Sequence, residues 1–258
     1  PEAAVSIAAA LKGSADITIG NIVGSNILNI LIILGLTSAI TTVAVAKSTI
    51  RIEIPFMLVI ALVLLGLGYT GNVVSRGEGI ILWILFIAYL TYLFIMAKKN
   101  KEEVPEDSKE LPLWKLILAA IIGLILIVWG SDVTVDAATA IAKSLGLSER
   151  FIGLTIVALG TSLPELFTSV SAAMKGKADI AIGNVVGSNI FNIGMVLGVP
   201  IAIFGNVSIG TFNILDLGFM FLSSLALFIF AGNDYKITKK EGLFMLFMFV
   251  VYYGLVII

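Results

Sequence analysis

The chain of 258 residues contains no cysteine and no histidine. Without cysteine there are no disulfides, no thiolate metal ligands and no thiol nucleophiles. Without histidine the usual zinc ligand and the usual proton shuttle at neutral pH are gone. A metal site here must be built from oxygen, which suits Ca²⁺, Mg²⁺, Mn²⁺ or Na⁺ and not Zn²⁺ or Cu²⁺. Charge is scarce as well: Asp, Glu, Lys and Arg make up 13%, against about 25% in soluble chains. The net charge of −1 creates no field for a polyanion. No secretory signal is visible, and the chain opens at Pro1 without Met. The expectation is a fragment whose natural N-terminus lies upstream.

What is abundant is apolar surface, 59% of residues, arranged in blocks. A membrane-crossing helix needs about 20 mostly apolar residues. The blocks that qualify are Ile17–Ala46, Ile52–Thr70, Gly79–Met96, Leu113–Val135, Phe151–Met174, Ile180–Phe204, Phe212–Phe230 and Gly242–Ile258, with Pro1–Leu11 as the end of a ninth. The fold class expected is an all-α polytopic membrane protein. The longest polar break, Lys98–Pro112, reads as a linker (98–112) between a first half (1–97) and a second (113–258). With helices alternating in direction, one set of loops holds twelve Lys and Arg residues and the other four. The positive-inside rule then puts the linker in the cytoplasm and Ile258 outside.

The chain also repeats itself. Pro1–Leu36 reappears as Pro164–Val199 at a constant offset of 163, without a gap and with 22 identities in 36. The shared positions include Pro, Glu, Lys, Gly, Asp, Ser and Asn, so likeness between two greasy helices does not account for it. Five crossings separate equivalent points, so the copies run in opposite directions. Such inverted repeats typify secondary transporters, with the substrate near the midplane between them.

Each copy carries two polar elements. One is Pro-Glu, preceded in the second copy by Gly160-Thr161-Ser162-Leu163. A carboxylate deep in an apolar helix is costly, by at least about 2.5–3.5 kcal/mol. Pro164 has no N–H, so the carbonyl of Gly160 loses its helical donor. A freed carbonyl beside Glu165 is a ligand set for a hard cation. Thr161, Glu165 and Ser169 share one helix face, and Glu2 and Ser6 match the last two in the first copy. The other element is Gly-Asn-x-x-Gly-Ser-Asn-x-x-Asn, at Gly20–Asn29 and Gly183–Asn192. Ser25 with Asn29, and Ser188 with Asn192, stand one turn apart and aim neutral oxygens in one direction. The paired glycines admit a neighbouring helix. Folded together, the copies would set Glu2 opposite Glu165 across a pseudo-twofold axis, flanked by hydroxyl and amide oxygens. Two carboxylates neutralise one Ca²⁺, and with the neutral oxygens they hold several Na⁺ ions instead.

Blander roles fit other polar residues. Asn26 and Asn189 read as interhelical ties, and Asn21 and Asn184 as either ties or ligands. Asp16 and Asp179 read as caps of helix N-termini. Asp132 and Asp136 fit a structural role slightly better than an entry path. Glu53, Asp216 and Glu241 read as interfacial, and Trp83, Trp114 and Tyr252 as interfacial anchors or packing.

These elements resemble the α-repeats of the Ca²⁺/cation antiporter superfamily. The likeness rests on GTSLPE (Gly160–Glu165) with its partner Pro1-Glu2, and on GNIVGSNILN and GNVVGSNIFN. It comes nearest to prokaryotic Na⁺/Ca²⁺ exchangers, the K⁺-dependent type included. Proton-coupled members carry Glu where this chain has Gly24 and Gly187, which argues against H⁺ coupling. The resemblance implies that Glu2 and Glu165 ligate Ca²⁺ with the Thr161 carbonyl. It implies that Ser162, Ser25 and Ser188 serve Na⁺ with the Ala158 carbonyl, and that Asn29 and Asn192 complete the cluster. Some members have Asp at one of those last two positions; Asn at both lowers the site's negative charge. The family has ten membrane helices, so nine are expected here, without the counterparts of Thr161 and Ser162 in the first copy.

The function expected is therefore a non-enzymatic Na⁺/Ca²⁺ antiporter, monomeric, with no resident cofactor and no nucleic-acid partner. H⁺- or K⁺-coupled antiport stands as the alternative. A cation channel would instead predict a continuous pore. An intramembrane hydrolase would need a nucleophile–base pair, and no Lys lies at membrane depth to supply one.

Overall fold

The computed structural model describes residues 2, 3, 6, 15–71, 73–99, 112–205, 207–208 and 214–257. Inside a bilayer every backbone polar group must find its partner within the chain, so the apolar blocks become helices. The first is a continuous rod of α1 (Ala15–Leu28), a π turn (Asn29–Leu34) and α2 (Gly35–Ile40). Strand β1 (Val43–Ala44), a second π turn (Thr49–Glu53), α3 (Ile54–Gly71), β2 (Val73–Val74) and α4 (Arg76–Lys99) follow. The next elements are α5 (Leu113–Ser144), α6 (Glu149–Ile152), a π turn (Gly153–Val157) and α7 (Ala158–Met174). Another rod comes next: α8 (Asp179–Phe191), a π turn (Asn192–Leu197) and α9 (Gly198–Phe204). Last come β3 (Val207–Ser208), α10 (Ile214–Gly232), β4 (Lys236–Ile237) and α11 (Lys239–Ile257).

Among the described residues, six helices are long and apolar enough to cross a membrane. They differ sharply in surroundings: Thr18–Ile40 is 89% buried and Asp179–Phe204 61%, whereas Arg76–Lys99 is 17% buried. The two rods that carry the Gly-Asn-x-x-Gly-Ser-Asn elements are thus the centre of the molecule. The outer helices turn Ile, Leu, Phe and Trp outward, as lipid requires.

The expected helix ends move in places. The first rod stops at Ile40, because Val43 and Ala44 pair antiparallel with Ile237 and Lys236. Helix α5 runs on to Ser144, past the apolar block that predicted it. Asp179 does not cap its helix: Ala178 is the cap residue, and Asp179 lies in the first turn. There it acts on the helix dipole alone. Residues 100–111 of the linker and most of Pro1–Leu11 lie outside the described residues.

The offset of 163 outlasts the motif. Strands β2 and β4 are equivalent at that spacing, and they pair with β3 and β1 respectively. Ser75 and Glu78 form a capping box at the start of α4, with the Ser75 N–H donating to Glu78 Oε2 at 2.6 Å. Thr238 and Glu241 repeat it at α11, at 2.7 Å. Phe56 stacks on Tyr89 with centroids 5.3 Å apart. Phe219 stacks on Tyr252 at 4.7 Å, with the same interplanar angle of 26°. A Cβ added to Gly79 would meet Ile201 at 2.7 Å, and one added to Gly242 would meet Ser38 at 2.7 Å. Close glycine crossings of this kind bind α4 to α9 and α11 to α2.

Candidate cation site

The two central rods meet through their asparagines. Asn26 Nδ2 donates to the Asn189 carbonyl at 3.4 Å, and Asn189 Nδ2 donates to the Asn26 carbonyl at 3.1 Å. Asn29 Nδ2 donates to Asn189 Oδ1 at 3.0 Å, and Asn192 Nδ2 donates to Asn26 Oδ1 at 3.2 Å. Exchanging 26 with 189 and 29 with 192 maps this set of bonds onto itself. Asn26 and Asn189 are therefore the interhelical ties expected of them. By donating to those ties, Asn29 and Asn192 are left with an amide oxygen facing the other way. The Asn29 Oδ1 is buried and has no partner among the described residues. Both π turns begin at these asparagines. A widened turn of this type recurs at functional sites.

Beside this knot stands α7, where Pro164 sits inside the helix. Thr161 is fully buried and donates to Asn21 Oδ1 at 2.8 Å. Its Oγ1 lies 3.3 Å from Ser25 Oγ, and Ser25 Oγ lies 3.5 Å from the Ala158 carbonyl. Ser162 Oγ donates to Glu2 Oε1 at 3.4 Å, and Glu2 is only 5% exposed. Glu165, one turn beyond Thr161 on the same helix, has a buried Oε2 with no partner among the described residues.

The fold thus links Glu2, Ser25, Ala158, Thr161 and Ser162 through α7, which also carries Glu165, and sets Asn29 one turn from Ser25 on the first rod, with Asn192 bonded to that rod at Asn26. Ser188 lies half-buried on α8, and no bond ties it to this cluster among the described residues. No group of three acids exists there among the described residues. A cation would rest on two carboxylates and neutral oxygens, a hard-ion set.

Close packing holds the first copy against this locus. A Cβ at Gly24 would meet the Leu154 carbonyl oxygen at 2.5 Å and the Ala158 Cβ at 2.7 Å. A Cβ at Gly183 or Gly187 would meet nothing within 4 Å among the described residues. The undecided asparagines also part ways. Asn21 joins Ser6, Ser25 and Thr161. Asn184 donates to Ser169 Oγ at 3.1 Å and to the Glu165 carbonyl at 3.3 Å.

Away from the locus, Glu53 and Asp216 are buried, 8% and 0% exposed, and not interfacial as expected. Thr49 donates to Glu53 at 3.1 Å, and Tyr252 donates to Asp216 at 3.0 Å. Burial needed such partners. Tyr252 is therefore a core residue, while Trp83 and Trp114 do face outward. Asp136 is exposed, and the side chain of Asp132 lies outside the described set. Glu53 and Asp216, like Tyr89 and Tyr252, are 163 residues apart. Carrying the repeat offset beyond the motif would have flagged both acids.

Residues 1–95 and 115–258 match the sodium/calcium exchanger protein family. Sodium/calcium exchanger MaX1 of Methanosarcina acetivorans is 54% identical over 82 residues, 32% of this chain and 23% of that protein. Inner membrane protein YrbG of Escherichia coli is 41% identical over 214 residues, 78% of this chain and 64% of that protein. Among solved structures, the sodium-calcium exchanger NCX_Mj soaked with Na⁺ and Sr²⁺ superposes with a TM-score of 0.79 at 33% identity. That match covers 98% of this chain and 81% of the other. With six apolar helices and this fold, the chain is an all-α, multi-pass membrane protein.

Proposed function

The chain belongs to the sodium/calcium exchanger family, and from that premise we propose that it exchanges Ca²⁺ for Na⁺ across the cell membrane by alternating access. The observation that carries this reading is a pair of buried acceptors with no partner among the described residues, Glu165 Oε2 and Asn29 Oδ1, on the two elements that carry the Pro-Glu and Gly-Ser-Asn motifs. An acceptor buried without a donor costs about 1–3 kcal/mol, and more when charged. A bound cation removes that cost at every such atom at once.

Glu2 and Glu165, with the Thr161 carbonyl, take Ca²⁺. Ser25, Ser162 and Ser188 take Na⁺ with the Ala158 carbonyl, and the Asn29 and Asn192 oxygens complete the cluster. The carboxylates serve both ions, so one cargo excludes the other, and exclusion is what couples the two fluxes. NCX_Mj, which shares the fold, has been soaked with Na⁺ and Sr²⁺ and with Na⁺ and Ca²⁺.

The copies form inverted repeats, 1–97 and 113–258, joined by a cytoplasmic linker, with Ile258 outside. The self-mapping asparagine bonds and the crossed strand pairs support this topology. The likeness to an inner membrane protein supports the same address. Helix α5 slides as part of the gate. Its outer face is exposed along most of its length, and it packs on α6, the Gly153–Val157 turn and α7. An outer element whose described side chains are mostly exposed is the one that moves most readily.

Uptake of ⁴⁵Ca into vesicles tests the reading, with Na⁺, K⁺ and H⁺ gradients imposed one at a time. An outward-directed Na⁺ gradient should drive uptake. Uptake that follows a pH gradient and ignores Na⁺ would overturn the coupling.

A further inference from the structure

The Asn21 side chain is fully buried and makes three polar contacts. Its Oδ1 accepts from Thr161 Oγ1 at 2.8 Å and from Ser25 Oγ at 3.4 Å. Its Nδ2 donates to Ser6 Oγ at 3.0 Å. A hydroxyl has one proton and two lone pairs. The Ala158 carbonyl also lies within reach of both hydroxyls, at 3.3 and 3.5 Å, but Asn21 Oδ1 is the nearer acceptor for each. When Thr161 and Ser25 both give their protons to Asn21, each turns lone pairs alone toward the interior. The carboxylates of Glu2 and Glu165 and the backbone carbonyls need no such arrangement, because they have no proton to misplace.

We infer that Asn21 is a positioning residue that orients the Thr161 and Ser25 hydroxyls as pure acceptors, and so sets the affinity of the site for Na⁺ more than for Ca²⁺. This rests on the ion-site reading above. Asn184, its counterpart, holds Ser169 and the Glu165 backbone and makes no bond to Ser188 among the described residues. The two sides of the cage are therefore not tuned alike. Deep burial keeps water from taking Asn21's place.

The test uses the full chain in proteoliposomes. Asn21→Leu should raise the Na⁺ concentration for half-maximal exchange about tenfold, the scale of one lost buried hydrogen bond. The Ca²⁺ concentration for half-maximal Ca²⁺/Ca²⁺ exchange should move less than about threefold, since its oxygens do not rely on Asn21. Asn21→Asp keeps the acceptor oxygen and should bring Na⁺ half-saturation back to within about threefold of the unmodified chain. Equal shifts for both ions, or an unmoved Na⁺ response, would refute the inference. If Asn21→Leu does not fold, Asn21→Ser must lose Na⁺ affinity while Asn21→Asp retains it. Failure of the unmodified chain to couple Na⁺ to Ca²⁺ would sink the transport reading instead. Stabilisation of the purified chain by NaCl over choline chloride then decides the inference on its own. Asn21→Leu should lose that rise in melting temperature, and an undiminished rise counts against Asn21.

Discussion

The two copies of the repeat share 22 of 36 residues, polar motifs included, yet they do not lie in identical surroundings. Gly24 is jammed against the Gly153–Ala158 stretch, while a Cβ added at Gly187 would meet nothing within 4 Å among the described residues. Asn21 ties two hydroxyls of the ion locus, while Asn184 ties a serine and a backbone carbonyl. Thr18–Ile40 is 89% buried and Asp179–Phe204 only 61%. A motif therefore states what a segment offers. What it does depends on the element that faces it.

Where the copies should act as equals, at the two carboxylates, the effect should be largest. Glu165→Gln and Glu2→Gln should each reduce Na⁺-driven ⁴⁵Ca uptake to background. Each removes one of the two charges that a divalent ion needs. Near-normal flux in either variant would break both the equivalence and the site assignment.

Next are the glycines, where the copies should differ most. Gly24→Ala puts a methyl 2.5 Å from the Leu154 carbonyl oxygen. The first rod must separate from the Gly153–Ala158 stretch, at about 1–3 kcal/mol. Gly187→Ala meets nothing among the described residues and should stay within about 0.5 kcal/mol. Thermal unfolding of the purified variants in detergent reads the gap. Equal losses would mean that the open flank of Gly187 is filled in the working protein.

The repeated polar elements, the apolar blocks and the central position of the two Asn-rich rods were legible from residue order. The offset of 163 is a direct record of symmetry. The environment of each copy was not legible, because close approach at Gly24 depends on a segment 130 residues away. Nor were the π turns, for which Asn29 and Asn192 offer no local signal. Glu53 and Asp216 lie one turn from their helix starts, where an acid is ordinarily solvated. Their burial depends on Thr49 and Tyr252, and only the continued offset links them. The capping boxes Ser75–Glu78 and Thr238–Glu241 were readable as S/T-x-x-E, and the apolar run beside them masked the pattern.

The acid–tyrosine positions give an intermediate contrast. Tyr252 donates to the buried Asp216, whereas the described partner of Glu53 is Thr49. Tyr252→Phe should lower stability by about 1–2 kcal/mol, through a carboxylate that loses a donor. Tyr89→Phe keeps its stack on Phe56 and should cost less. If the two variants melt alike, Tyr89 and Glu53 are paired in the membrane as Tyr252 and Asp216 are.

The smallest effect should come from the two capping boxes, and there the copies should agree. Both boxes have the same geometry: the residue's hydroxyl reaches the glutamate at 2.8 Å in each, and the glutamate N–H returns at 3.5 and 3.4 Å. Ser75→Ala and Thr238→Ala each remove one hydroxyl from the first turn of an outer helix. The backbone N–H of residue 75 or 238 still donates to the carboxylate, so half of each box survives. A loss of about 1 kcal/mol is expected for each, read as a melting shift. Since β2 and β4 precede these caps and pair across the halves, a cap also aims the strand that leads into it. Were Thr238→Ala much the costlier, the extra loss would lie in the β1–β4 pairing beside it. The equivalence of the two halves would then hold within each cap and fail at the strands that join them.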